Sequence, residues 1–486
     1  MGIVASQSIK NIISTYLGFA IGAINTLFLY TNFMSDAYYG MVGFMLSAAF
    51  VMMPLMAFGV NNTLIKFYSS FKTRIALNSF LTLMLFLPLL MIVPLSIVGY
   101  FGYEIIGDYL STENPIIKNY LWHTIVIAIA LAYFEVFYAW VKVQLQTVFG
   151  NFMKEVFHRV GTMILLVLLY LNFLSIEQFM IGLVIVYILR VFVMMAYAFS
   201  VKLPVIIFKK VNGITGILKY SALIIIAGSI ATILLDVDKV MLGKYIPIKN
   251  IAYYNVAIFI AAVVAVPQRA MHQILLPLSA KYLNEKDYKN LGDLYKRSSL
   301  NLFIVGGLIF LLIILNINQL YYLIAGEYRV GLYVVLLISL SKLFEALIGS
   351  NNAILFNSDY YRMVLVLGVL LVIFMVLLNT IFIPLYGING AALATFIAVL
   401  LYNTAKVVFV YKAFNIIPFT VNTIKVAVVI AVMALLGYFW DFNFHPILNI
   451  FLKSVIITGV FSVVVYRFKF SEDINGAVYK FLKKSV

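Results

Sequence analysis

Cysteine is absent from the 486 residues, which excludes disulfides, thiolate metal sites and cysteine nucleophiles. The four histidines, His123, His158, His272 and His445, are scattered and give no HExxH or related ligand spacing. Neither GxSxG nor GxxxxGK[ST] occurs. Charge is scarce as well. Asp, Glu, Lys and Arg make up 11% of the chain, whereas a soluble domain carries about a quarter. No connection between the apolar runs is long enough for a soluble domain of about 50 residues or more. A membrane polymerase or ligase needs a large outward loop with carboxylates or histidines, and the longest such connection is short. It runs from Gly102 to Lys118 and is punctuated by Gly102, Gly107 and Pro115.

What fills the chain is hydrophobic residues, at 64%. A helix needs about 20 apolar residues to cross the hydrocarbon, and in lipid its backbone must be satisfied within the segment. Fourteen runs of that length are expected, which makes this an all-α polytopic membrane protein. They lie near 11–31, 40–60, 77–101, 120–141, 156–173, 178–200, 219–242, 251–273, 298–318, 331–355, 363–383, 390–411, 422–440 and 446–466. The first is too long for a signal-peptide core and reads as a retained anchor.

The net charge of +16 is distributed as topology rather than as a nucleic-acid groove. With an internal N-terminus, inward connections hold about 24 of the 34 Lys and Arg, a positive-inside bias that also attracts anionic lipid. They include Lys66, Lys72, Arg74, Lys202, Lys209, Lys210, Lys219, the stretch 281–297 and the tail 467–484. The outward set is Lys118, Lys244, Lys249 and Arg329, among acidic residues such as Glu104, Asp108 and Glu327. An even number of spans returns the C-terminus to the cytoplasm.

A repeat is visible at a displacement of about 215 residues. Ala37-Tyr38-Tyr39-Gly40 opens the second span and Ala252-Tyr253-Tyr254-Asn255 the eighth. Each is followed by an aromatic (Phe44, Phe259), small residues (Ser47-Ala48-Ala49, Ala261-Ala262) and a proline (Pro54, Pro267). Six spans separate the copies, so both point the same way, which predicts two pseudo-symmetric six-helix lobes related by an axis along the membrane normal. The expected organisation is 1–201 for the first lobe, 202–218 for a cytoplasmic linker and 219–413 for the second lobe. Two extra spans and a basic tail fill 414–486.

Ionisable groups inside such spans are expensive, so they are the candidate site residues. Glu135 and Lys342 each sit about 20 Å from the outer end of their spans. Glu345 follows Lys342 by three residues and can pair with it on one helix face. Arg190 is deep in the sixth span, and Arg269 lies toward the inner end of the eighth. Asp236, Asp238 and Lys239 crowd the outer end of the seventh. Glu135 has no partner within a helical turn, so it needs a cross-helix partner, a water-filled cavity or a proton. Buried cations attract an anionic headgroup such as phosphate, which assigns substrate binding to Arg269, Lys342 and Arg190. Coupling or gating falls to Glu135, Glu345, Asp236 and Lys239. Asn25, Asn61, Asn62, Asn351 and Asn352, with many tyrosines, add hydrogen-bonding and stacking groups suited to sugars. Residues 282–298 read as a short amphipathic helix with Glu285→Lys289 and Asp293→Arg297 pairs. No cofactor or metal is implied.

Several stretches resemble the Wzx-type polysaccharide flippases. They are Asp238-Lys239-Val240-Met241-Leu242-Gly243-Lys244-Tyr245, Gly326-Glu327-Tyr328, and Ile383-Pro384-Leu385-Tyr386-Gly387-Ile388-Asn389-Gly390-Ala391-Ala392. Pro277-Leu278 and Leu294-Tyr295-Lys296-Arg297-Ser298 add to them. The likeness is densest from about 236 to 400. It implies a V-shaped, MATE-like pair of lobes in the bacterial cytoplasmic membrane, handing undecaprenyl-pyrophosphate-linked oligosaccharides (O-antigen or capsule type) to the outer leaflet. It also implies membrane lipids, a polysaccharide polymerase and glycosyltransferases as partners, and a groove for the polyprenyl tail along the two extra spans. The peptidoglycan-precursor branch of the same superfamily resembles a pattern with arginines in the first two spans, absent here. The drug exporters tend to twelve spans and a first-span carboxylate, also absent. A multidrug antiporter of that superfamily is the alternative reading.

Overall fold

The computed structural model describes residues 3–324, 326–476 and 479. Among the described residues the secondary structure is helix and turn, with no strand, as a backbone surrounded by hydrocarbon requires. Eleven helical stretches among them are long and apolar enough to cross a membrane. The protein is a multi-pass membrane protein. Two compact units divide the chain, Met1–Asn255 and Val256–Val486.

The first unit contains α1 (Ile3–Ile24), α2 (Asp36–Met56), α3 (Val60–Phe67), α4 (Arg74–Phe86), α5 (Leu89–Phe101), α6 (Leu121–Lys142), α7 (His158–Tyr170), α8 (Ile176–Val201) and α9 (Ile214–Tyr245). The start of α10 (Lys249–Ala262) completes it. Its core is built on α6, whose Phe134, Phe137, Trp140 and Val141 pack with Phe80, Met84, Met194 and Ala198. Although the repeat assigns α9 to the second half of the sequence, α9 packs along α2 in this unit. The two Ala-Tyr-Tyr copies meet there. The Tyr253 hydroxyl donates to Asp36 at 2.8 Å, and Gly43 lies against the Asn255 side chain.

The second unit continues through α11 (Val266–Asn284), α12 (Tyr288–Leu323), α13 (Leu332–Leu347), α14 (Asn351–Asn357), α15 (Tyr361–Phe414), α16 (Val421–Tyr438) and α17 (Pro446–Arg467). Leu311, Leu315, Ile430, Ile457 and Phe461 form its main core, joining α12 to the last two helices. Those helices leave Leu436, Phe439 and Val463 largely exposed, an apolar surface that water would not tolerate at this density.

Several expected spans change form. The second is broken: α2 ends after Pro54, the turn 57–59 carries positive φ at Phe58 and Gly59, and α3 resumes. A Cβ on Gly59 would stand 2.6 Å from the Ser221 carbonyl oxygen, so glycine is required there. The repeated Pro267 marks a similar break, where Val263–Ala265 form a 3-10 turn between α10 and α11. The tenth is broken at Ile348–Ser350, before Asn351 and Asn352. The third is broken at Leu87-Pro88. The fifth keeps 13 regular residues in α7, behind a π turn at Met153–Phe157. The outward loop 102–118 is partly helical, with Tyr103–Ser111 regular.

No separate amphipathic helix fills 282–298. Glu285 and Lys286 form a turn, and α12 runs unbroken for 36 residues from Tyr288, capped by Asp287. Of the two charge pairs expected there, Asp293–Arg297 forms at 3.3 Å, while Glu285 lies in the turn before the helix.

The eleventh and twelfth expected spans fall in α15, whose 54 residues are interrupted at Gly387 (φ 57°, ψ −132°). As a straight rod it would measure about 81 Å, far beyond the hydrocarbon core of about 30 Å. Instead it doubles back, and Thr395 meets Met375 across the two arms. Glycine alone adopts that backbone conformation readily.

Candidate functional site

In the first unit the buried Glu135 and Arg190 gather around the π turn at Met153–Phe157. A π turn shifts the hydrogen-bond register by one residue, and two carbonyls near its start point sideways. Arg190 on α8 takes both: its Nε donates to the Met153 carbonyl at 2.9 Å and its Nη2 to the Lys154 carbonyl at 3.4 Å. The guanidinium lies 3.7 Å from the centre of the Phe134 ring and is 4% exposed. Glu135, one residue further along α6, accepts from Lys154 Nζ at 2.6 Å. The partner that Glu135 required is thus Lys154, across to the next helix. A cavity of about 60 Å³ adjoins the carboxylate, lined also by Pro54, Gly59, Asn61, Asn62 and Gly228. That volume holds a few water molecules, and the break after α2 is what delivers Asn61 and Asn62 to it. The structure therefore brings Glu135 and Arg190 to one turn of the chain.

Asp236 and Lys239 form a pair of their own at 2.7 Å, and Ser47 donates to the same carboxylate oxygen at 2.9 Å. Asp238, two residues on, faces elsewhere and accepts from the Tyr254 hydroxyl at 2.7 Å. At the outer loop, Asn114 is a clamp. It donates to the Gly243 and Ile246 carbonyls and accepts from the Ile248 amide, at 2.7–2.9 Å. Nearby, Glu104 and Asp108 hold the Lys118 ammonium, pushing its pKa above the ordinary lysine value.

In the second unit Lys342 and Glu345 pair at 3.1 Å on one face of α13. Gln268 on α11 donates to the Glu345 carbonyl at 3.3 Å, which ties the proline-bearing break to this helix. Arg269, the next residue, is exposed and makes no ion pair among the described residues. Two buried lysines stand here that the sequence reading did not assign to a site. Lys453 on α17 donates to Asp441 at 3.0 Å. Lys406, in the second arm of α15, donates to Asn352 Oδ1 at 2.8 Å and lies 4.2 Å from the centre of the Tyr402 ring. Its signal was present: one lysine in the apolar run 390–411. Lys154 gave a weaker one, because it lay just outside the run assigned to the fifth span.

No group of three or more metal-ligating side chains occurs among the described residues. What the arrangement offers is paired charge inside membrane helices, a water-sized recess beside Glu135, and buried polar atoms without a partner among the described residues, such as Asn403 Nδ2.

Comparison with known proteins places the chain within one family. The family model described as polysaccharide biosynthesis protein matches residues 6–283, more than half of the chain, so the protein belongs to that family. Among solved structures, the fold is similar to that of the lipid II flippase MurJ in an inward closed conformation. The TM-score is 0.74 at 17% identity, over 96% of this chain and 100% of that one. It is also similar to an inward-facing multidrug resistance MATE family transporter of the MOP superfamily, with a TM-score of 0.65 at 10% identity, over 83% and 98%. A point mutant of the Vibrio cholerae MATE transporter VcmN gives 0.58 at 13%, over 85% and 98%. No curated protein matches. At these identities the likeness is one of fold. Those three bearers are a flippase and two transporters.

Proposed function

We propose that this protein flips undecaprenyl-pyrophosphate-linked oligosaccharide repeat units from the inner to the outer leaflet of a bacterial cytoplasmic membrane, by alternating access. Both termini lie in the cytoplasm in this reading, and the substrate comes from and passes to enzymes of polysaccharide assembly. Membership of the polysaccharide biosynthesis family over residues 6–283 carries the reading. The physical logic agrees with it. Sugars and pyrophosphate cannot enter hydrocarbon unaided, whereas a prenyl tail can stay in lipid, so the protein has to supply only a polar, cation-bearing path. Arg269 and Lys342 are the residues assigned to the pyrophosphate. Arg190, whose Nε and Nη2 donate to carbonyls of the π turn, is assigned to the substrate as well. Glu135 with Lys154, beside a water-sized recess, is the coupling pair, and Asp236–Lys239 and Glu345 are assigned to gating. Differential affinity shifts the balance of inward and outward states, and net direction comes from a coupled ion gradient or from consumption of the flipped substrate.

A multidrug antiporter is the second reading, favoured by the fold similarity to MATE transporters. It would take cationic amphiphiles and so require a net negative binding surface.

Depletion in the native host tests the first reading. Lipid-linked oligosaccharide should accumulate in the inner leaflet, with rescue by the wild type. An Arg269→Ala/Lys342→Ala double variant should reach the membrane at normal level and fail to rescue. Unchanged leaflet distribution on depletion would overturn the flippase reading; full rescue by the double variant would overturn only the residue assignment.

A further inference from the structure

Asn403 and Lys406 lie three residues apart on the second arm of α15 and so share a helix face. Both are buried, at 1% and 2% exposure. The Asn403 Nδ2 amide has no hydrogen-bond partner among the described residues. An ammonium has three donors; one of Lys406 reaches Asn352 Oδ1 at 2.8 Å, and the Tyr402 ring lies 4.2 Å from Nζ. No carboxylate lies within ion-pair distance of Lys406 among the described residues, and Glu345, on the packed α13, already holds Lys342. Buried donors without acceptors destabilise a fold, and a buried cation without an anion does so more strongly. Together on one face, the partnerless amide and the cation without a carboxylate describe a receptor whose acceptor comes from outside the chain.

We propose that Asn403 and Lys406 form a second anion-binding station, which takes a phosphate-class oxygen of the substrate headgroup. This rests on the flippase reading and adds a recognition point to it. Asn352 stands on the short helix α14, just beyond the break at Ile348–Ser350. Its amide oxygen holds the place that a phosphate oxygen takes when α14 moves aside. Tyr402 fixes the ammonium from the other side, so the charge is positioned before the ligand arrives.

Calorimetric titration of the purified full chain in detergent tests the proposal, with farnesyl pyrophosphate, inorganic pyrophosphate and farnesol as probes. The wild type should bind both pyrophosphates and not farnesol; tighter binding of farnesyl pyrophosphate than of the free anion marks a lipid-linked source. Lys406→Met should weaken pyrophosphate binding about tenfold or more, Asn403→Leu about threefold to tenfold, and Lys406→Arg should largely restore it. Circular dichroism and thermal unfolding establish that each variant folds. If Lys406→Met does not fold, Asn403→Leu and Lys406→Arg decide the matter. Folded Met and Leu variants that bind as the wild type does overturn this inference and leave the flippase reading intact. A wild type that binds neither pyrophosphate overturns the headgroup reading, and this station with it.

Discussion

A carboxylate in the middle of an apolar helix must find a cation, water or a proton, and Glu135 has found the first with the second beside it. That need was legible in the sequence; the identity of the partner was not. Lys154 sits in a π turn, and a reading at 3.6 residues per turn assigns it to the inward connection. Lys154→Met leaves the carboxylate unpaired and should destabilise the protein by about 1–3 kcal/mol, at the lower end because the lysine is partly exposed. Adding Glu135→Gln should recover part of the loss, as thermal unfolding of the single and double variants in detergent would report. Asp287 offers a cleaner titration outside the membrane. Its carboxylate accepts from the Asn290 backbone amide at 3.1 Å and side-chain amide at 2.6 Å, which holds its pKa below the ordinary aspartate value. The contribution is therefore present above the unfolded-state pKa and lost as pH falls through the lower folded one. Hydrogen exchange at the start of α12 should accelerate on acidification below about pH 4, beyond the intrinsic pH dependence of exchange. The Asp287→Ala variant should exchange rapidly throughout.

At the scale of the element, hydropathy located the apolar runs because a helix in lipid has to be long and continuous in composition. Composition does not show where such a run breaks. Pro54, Pro267, Pro88 and Pro384 each stand beside a break, yet Pro94 and Pro277 lie within uninterrupted helices, so proline alone does not mark one. At Gly59 and Gly387 the decisive quantity is a positive φ, which a hydropathy window cannot see. The amphipathic helix expected at 282–298 failed for a related reason: its pattern was real but formed the first turns of a longer helix. Gly387→Ala should cost about 1–3 kcal/mol in backbone strain, with no steric share, because nothing lies within 4 Å of the added Cβ. Gly390→Ala should cost more, since its Cβ would stand 1.9 Å from the Phe382 carbonyl oxygen. Gly459→Ala, helical and open, should be neutral or slightly stabilising, and thermal unfolding separates the three.

For the whole molecule, the charge asymmetry and the missing cysteines combine into a direct test. Single cysteines placed at Lys210, Lys286 and Asn475 should react with an impermeant maleimide only after the inner face is opened. Those at Asp108 and Glu113 should react in intact cells. Outside labelling at Lys286 would invert the proposed topology. The intramembrane charges were partly legible at this scale too: Arg190, Lys342 and Glu345 stand out in any apolar run. The Lys342–Glu345 pair follows from their spacing on one helix, whereas the partners of Arg190 depend on helix packing, which hydropathy does not show.

The doubled helix α15 has a consequence for how the chain is made. Its arms are joined at Gly387 with scarcely a hydrophilic residue between them, so there is no polar link to be threaded across the bilayer first. A translocation machinery meeting residues 361–414 would have to release both arms sideways as one hairpin, and a ribosome stalled between them should leave the first arm unintegrated.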